Sequence, residues 1–347
     1  MLRAERVHSE AVDSNDAIQR GLARANAGRF APRRSAGDFD AELEHEAAMR
    51  RTERAFIEAE RAAVKAEARR APTEPAAFSA WFESLVESFE SSSEALLCAL
   101  EAATNAEQVR WFLAQEHAQA DGFEDWLALT QLNMPARPKK ELAQDYWLAI
   151  NHAGNSRPFA HVPSLREPAA QPAVWEALAV GNLMTGLASA RHYAYQSLGA
   201  LGLVEASAAR RARRVNAVCA RLGIDSAARP ATVGEGRFEL WSREVLMPLS
   251  ADDPSLAPLI AEGALLRLSA AQRADARCLM ELTRGPVAQF EYAEEGARAP
   301  AAPSEPFVAG TPFAAPPNAP NAPNAPNAPH ATVRPVQWRE VSPRHTT

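Results

Sequence analysis

Glu116 is the residue of this 347-residue chain whose placement points most directly to chemistry. Val109, Phe112 and Leu113, continued by Ala120 and Phe123, recur at helical spacing, and Glu116 falls on their stripe while His117 and Gln119 point elsewhere. A carboxylate on such a face needs a metal ion, an arginine, backbone donors or its own proton, because an isolated buried charge is costly. In an α bundle, carboxylates and histidines that project inward from facing helices can build a metal site. The spacing therefore leaves two readings open, a ligand and a structural carboxylate.

Other frameworks are missing from the sequence, and each absence removes a class. There is no GxGxxG after a strand, no GxxxxGK[ST], no GxSxG elbow and no HExxH. Cys98, Cys219 and Cys278 are far apart, with no CxxC or Cys/His spacing, so neither a disulfide framework nor a zinc module is expected. A net charge of −6 argues against general nucleic-acid or anionic-membrane binding. Arg210, Arg211, Arg213 and Arg214 form a basic patch without interleaved aromatics, which reads as a solvated face. Glu205 reads as a structural carboxylate at a helix start, and His192 as a surface or rim histidine. No basic-then-apolar leader opens the sequence, and the longest apolar stretch, around Val174 to Leu187, is interrupted by Glu176. The expectation is a cytoplasmic protein.

The elements that must position these residues are helical. Thr104 to Glu107 has the pattern of a capping box, Pro138 suits a first helical turn, Gly223 closes the Arg-rich helix and Asp253-Pro254 opens another. Helices are expected over 76–103, 105–121, 138–152, 172–200, 204–222, 233–247 and 254–283, preceded by an Ala/Glu/Arg-rich helix from about residue 38 to 70. In that first helix, pairs such as Glu58 and Arg61 read as a solvated face. Residues 1–38 read as a flexible arm, 39–290 as one helical domain and 291–347 as a disordered low-complexity tail. That tail carries 12 of the 26 prolines and four consecutive Asn-Ala-Pro triplets, from Asn318 to Pro329.

Several segments of the chain resemble one family. Arg110 to Glu116 (RWFLAQE), Leu129 to Pro135 (LTQLNMP), Val174 to Leu187 (VWEALAVGNLMTGL), Tyr193 to Gly202 (YAYQSLGALG), Arg243 to Leu246 (REVL) and Ala261 to Leu268 (AEGALLRL) are similar, in order and spacing, to the iron-containing redox enzyme family. The resemblance spans roughly residues 40–283. It implies an all-α, heme-oxygenase-like helical bundle, and the family includes di-iron oxidases.

The ligand positions that this resemblance implies are mostly substituted. Where relatives carry a ligating glutamate this chain has Ala149, and where a histidine follows it has Phe159, with His152 and His161 nearby but out of register. A late His-xxx-Asp-xx-His triplet is matched by Gly234, Phe238 and Trp241, and a second glutamate of some relatives by Ala120. Glu116 is the only candidate kept. Independently of the family, Gly234, Phe238, Trp241 and Val245 share one apolar helix face, and Leu142, Tyr146, Ala149 and Ala153 share another, with Glu235 and Glu239 offset from the first. Phe238 and Trp241 are expected to fill the interior beside Glu116.

These readings give a non-catalytic, metal-site-lost scaffold that binds an unknown protein or small-molecule ligand, with no cofactor expected. One alternative is an active non-heme iron oxidase or oxygenase that uses a rearranged set of Glu116, His152 and His161. A second is an interaction protein acting through its Arg patch and Pro-rich tail.

Overall fold

The computed structural model describes residues 2–30, 39–156, 173–224 and 237–284. The expected Pro-rich tail, Phe159, His161, Gly234 and Glu235 lie outside the described residues, as do the side chains of His152, Ala153 and Phe238. Within them the chain is all-α and contains no strand.

The helices run in chain order as α1 Leu2–Phe30, α2 Phe39–Ala68, α3 Pro75–Ser92, α4 Glu94–Ala102, α5 Ala106–Ala120, α6 Phe123–Thr130 and α7 Ala136–Ser156. They continue as α8 Trp175–Ser189, α9 Ala194–Arg221, α10 Arg237–Trp241, a π-helical turn Ser242–Leu246, α11 Met247–Asp252 and α12 Ala257–Thr283. Helix α8 is buried at every position from Ala179 to Ala188, as a central helix should be. Around it and α9 and α12 lies the main core, including Val180, Leu183, Leu201 and Ala264. A second cluster joins α4 and α5 to the far part of α9 and to Cys278.

Helix α9 and helix α12 meet closely because two glycines remove side chains at the crossing. A Cβ built on Gly199 would lie 1.8 Å from the Ile260 carbonyl oxygen, and one on Gly263 would lie 1.7 Å from that of Gln196. The contact is backbone against backbone, so no rotamer change could make room.

Local chemistry explains where the boundaries differ from expectation. Pro75 at the first turn and the Glu74 carboxylate, which accepts from the N–H groups of Ala76 at 3.1 Å and Ala77 at 2.7 Å, start α3. The expected single helix 76–103 breaks at the buried Ser93, the last of three consecutive serines, which favour local turn bonding over helix interior. Asn105, rather than Thr104, caps α5, its Oδ1 accepting from Glu107 N at 2.8 Å. The expected helix 172–200 ends at Ser189, and α9 then starts at Ala194, ten residues earlier than expected. Glu205 is therefore in mid-helix and not at a helix start.

The arm expected over residues 1–38 contains a long helix instead. Leu22 of α1 is fully buried, and Gln19 and Asn26 are buried on the same face against α8. These few inward positions in a polar sequence carry no broad apolar stripe, which is why periodicity gave no sign of them.

Candidate functional site

Helix α5 brings Glu116 to the inner side of the bundle, where it meets an arginine. Arg211 of α9 donates from Nε to Glu116 Oε2 at 2.9 Å and from Nη2 to Glu116 Oε1 at 2.7 Å. The same guanidinium donates to Asp275 of α12, Nη1 to Oδ2 at 3.0 Å and Nη2 to Oδ1 at 2.8 Å. Ser93, freed by the break between α3 and α4, donates from Oγ to Asp275 Oδ2 at 2.7 Å. Gln119 Nε2 reaches Glu116 Oε1 at 3.4 Å, and Phe112 lies with its ring centroid 5.7 Å from the guanidinium carbon.

This knot is mostly shielded from water, with 17% of the Arg211 side chain, 14% of Glu116 and 7% of Asp275 exposed. Burial opposes the Arg211 charge, but Asp275 and Glu116 outweigh it and hold the guanidinium well above its ordinary range. Nearby Arg267 has no such fork. Its Nε and Nη1 have no hydrogen-bond partner, and burial, opposed by Asp275, pulls it down to about 10. Burial also pushes the Cys278 thiol up, so it is an inert core residue.

Of the basic patch read from the sequence, Arg211 is turned inward and Arg214 is half-buried, whereas Arg210 and Arg213 are exposed. Besides Arg211, Arg210 pairs with Glu90 at 2.9 Å and Glu94 at 3.3 Å. Arg214 pairs with Glu94 at 2.7 Å and Glu101 at 2.6 Å. The reading of a solvated face is corrected for Arg211, while Arg210 and Arg213 are exposed and the pairs of Arg210 and Arg214 with carboxylates of α3 and α4 lie near the surface. Helix α2 behaves likewise. Arg61 bridges Glu58 at 2.7 Å to the buried Glu262 of α12 at 3.0 Å, and Glu58 also accepts from the Tyr193 hydroxyl at 2.7 Å. Burial and the Glu58 bond push the Tyr193 phenol up to about 12.

The other two ligand candidates of the sequence fall where no side chain is described. His152 lies on the last turns of α7, whose described part there is backbone, and His161 is outside the described residues. Leu142 is fully buried, with Tyr146 and Ala149 packed on the same core. His192 and Glu239 are exposed, as expected. Gln119 is 7% exposed, so α5 is buried over a wider arc than the single stripe read from its apolar residues.

Trp241 is buried as expected, but not beside Glu116. Its indole packs over Gly202, where a Cβ would come within 2.4 Å of Nε1. Gly202 and Arg211 are nine residues apart on α9, roughly 13 Å along the axis, and the two sites belong to different core clusters. The carboxylate within one turn of Gly202 is Glu205, which is 4% exposed. Helix α7, which packs on the π-helical turn, contributes the buried Glu141 and Asp145. Sequence reasoning singled out Glu205 only as a structural carboxylate and missed Glu141 and Asp145, although two acids four apart on α7 are a visible spacing.

The model of the iron-containing redox enzyme family matches residues 110–231, from α5 through α9. The resemblance read from the sequence is thus shared by that segment, which holds both Glu116 and Arg211 and ends before Gly234, Phe238 and Trp241. No curated protein matches the chain. The iron that the family description implies needs several N or O donors converging on one point. Both oxygens of Glu116 lie in the Arg211 fork, and a guanidinium there would repel a metal cation. Among the described residues no three His, Cys, Asp or Glu side chains are grouped so as to hold a metal ion. The described residues do not fit iron at Glu116.

Proposed function

We propose that this chain is a non-catalytic relative of the iron-containing redox enzymes, a helical scaffold that binds a protein partner or a small ligand. The observation that carries this reading is the pair of hydrogen bonds from Arg211 to Glu116, which gives the one retained ligand candidate a structural partner. The substituted positions agree with it, since Ala149 and Trp241 take part in apolar packing. The chain works in the cytoplasm in this reading, which three cysteines outside any disulfide suit. No helix among the described residues is long and apolar enough to cross a membrane.

Anaerobic Fe(II) loading of the full chain tests the proposal. The expected result is iron far below one per chain and unaffected by Glu116→Gln. Near-stoichiometric iron that is lost in Glu116→Gln, His152→Ala or His161→Ala would overturn it in favour of the rearranged ligand set.

A further inference from the structure

Glu44, Arg51, Glu58 and Lys65 follow one another at seven-residue intervals on α2, so that the charge alternates along the row. Residues seven apart lie within about 20° of one another around a helix, and the four therefore form one ridge. Glu44, Arg51 and Lys65 are exposed, and the Glu58 side chain is 42% exposed. Beside the ridge run Ala48, Ala55, Ala59, Ala62 and Ala66, all exposed, a strip without bulky side chains. Glu53, Ile57 and Val64, the buried residues of α2, lie roughly opposite. The ridge and its strip thus point straight away from the core.

On a solvated helix, charges find opposite ones three or four residues away. Three members of the ridge have none at those positions. The residues three and four away from Glu44 are Asp40 and alanines, those of Arg51 are alanines and Arg54, and those of Lys65 are alanines, Arg61 and Arg69. Glu58 does have local donors, but Arg61 Nη1 and the Tyr193 hydroxyl both go to its Oε1 and leave Oε2 to another donor. Alanines alone would make an ordinary helix surface, whereas the order of these charges selects a partner. Read in the opposite direction, the row presents a cation wherever it presented an anion, which makes it complementary to itself.

We propose that this face of α2 docks on the same face of a second copy of the chain, the two helices antiparallel about a two-fold axis near Arg54 and Ala55. A two-fold interface uses one patch twice, so each contact occurs in both directions. In that register Glu44 meets the second copy's Lys65, Arg51 meets the second copy's Glu58 through Oε2, and the symmetry repeats both pairs. All four contacts join opposite charges. A parallel pairing would bring like residues to the same height, Arg51 beside Arg51, and supplies no such pair. The alanine strip lets the helices approach, since side-chain size sets the distance between packed axes. Between Glu44 and Lys65 the face is about 32 Å long, and a contact about 12 Å wide would bury roughly 800 Å² over both copies, which fits a weak, reversible dimer. The inference goes beyond the scaffold reading and does not rest on it, and iron content bears on that reading alone.

Analytical ultracentrifugation of the full chain from about 5 to about 500 μM tests this. A reversible monomer–dimer equilibrium is expected, with a Kd on the order of 10–100 μM at low salt that rises with ionic strength. Glu44→Lys alone, or Lys65→Glu alone, sets two pairs of like charges across the axis and should weaken the dimer about tenfold. Glu44→Lys with Lys65→Glu restores opposite charges in the same register and should dimerise as the parent does. An equimolar mixture of the two single variants should do the same. Both positions are exposed, so all three variants should melt with the parent. A chain that stays monomeric throughout the range, a dimer that ignores the single reversals, or single reversals that the double variant fails to rescue would overturn the proposal.

Discussion

Arg211 closes a two-bond fork on Glu116 and a second on Asp275, so that one guanidinium ties α5, α9 and α12 together. Removing the cation alone leaves two buried carboxylates facing each other. Arg211→Met should therefore destabilise the chain by about 3–5 kcal/mol, as breaking a buried pair does. Arg211→Lys should recover only part of this, because an ammonium cannot fill two forks. Replacing the whole knot, with Arg211→Met, Glu116→Leu and Asp275→Leu together, should restore most of the stability. Chemical denaturation of the three variants checks the order. A single Arg211→Met change without measurable effect would mean that the pair is water-screened.

Much of this knot was within reach of the sequence. Glu116 stands out because Val109, Phe112, Leu113, Ala120 and Phe123 at helical spacing from it are all apolar. Asp275 has the same signature, lying with Leu268, Ala271 and Cys278 at i, i+3, i+7 and i+10, all buried. Arg211 is in phase with Val215 and Val218, but four arginines in five positions hide the phase of any one of them. What periodicity cannot supply is the pairing. Arg211 is 95 residues from Glu116 and 64 from Asp275, and only the packing of three helices makes them partners. The fold class was legible because capping residues and prolines punctuate the helices. The docking of α1 was not, since it depends on a few scattered and mostly polar side chains, Gln19, Leu22, Asn26 and Arg29 among them.

Glu176, in the first turn of α8, gives a pH dependence. Burial raises its carboxyl above the ordinary 4.5, and one of its oxygens has no hydrogen-bond partner. A raised folded-state value means that the folded chain holds this proton more tightly than the unfolded one. The associated stability is complete below about pH 4.5 and is lost as pH rises through the raised value. Glu176→Gln should thus melt higher than the parent at pH 7, by about 2–4 °C for a gain near 1 kcal/mol. The difference should close on acidification below the ordinary carboxylate range. Melting curves of both proteins at pH 7 and pH 4 decide it, and a gap that widens in acid would contradict the assignment.

Tyr193 gives the opposite end of the pH scale. Its phenol is pushed up to about 12 by burial and by donation to Glu58, so its contribution holds below pH 10 and is lost as pH rises through about 12. Tyr193→Phe should cost about 1 kcal/mol at neutral pH, less than a fully buried bond to a charged acceptor because the Glu58 side chain is 42% exposed. Ultraviolet titration of phenolate should show one tyrosine fewer ionising late in the variant. Loss of an early-ionising tyrosine instead would place the Tyr193 hydroxyl in solvent.

At the α9–α12 crossing the smallest possible addition should be among the most damaging. Gly199→Ala or Gly263→Ala drives a methyl into a carbonyl oxygen at under 2 Å, and the helices must separate to admit it. Either change should cost at least about 3 kcal/mol, more than the gain of up to about 1 kcal/mol that alanine gives in a helix interior. Gly21→Ala, where a Cβ meets nothing within 4 Å, is the matched control and should be neutral or stabilising. Equal melting temperatures for all three would show that the helices are less closely packed than described.

Restoring the family pattern tests which carboxylate belongs with the positions that the resemblance assigns to ligands. Ala149→Glu, Phe159→His, Gly234→His, Phe238→Asp and Trp241→His together place five polar groups at positions the resemblance assigns to ligands. Without metal, such a variant should be severely destabilised, since losing Trp241 opens a cavity and the new groups lack partners. Any rescue by Fe(II) must come from binding to the folded state. Trp241 packs over Gly202, one turn from Glu205 and roughly 13 Å along α9 from Arg211. Rescue should therefore vanish when Glu205→Gln is added and persist when Glu116→Gln is added. Dependence on Glu116 alone would return that residue to the ligand set and require the Arg211 fork to open when metal binds.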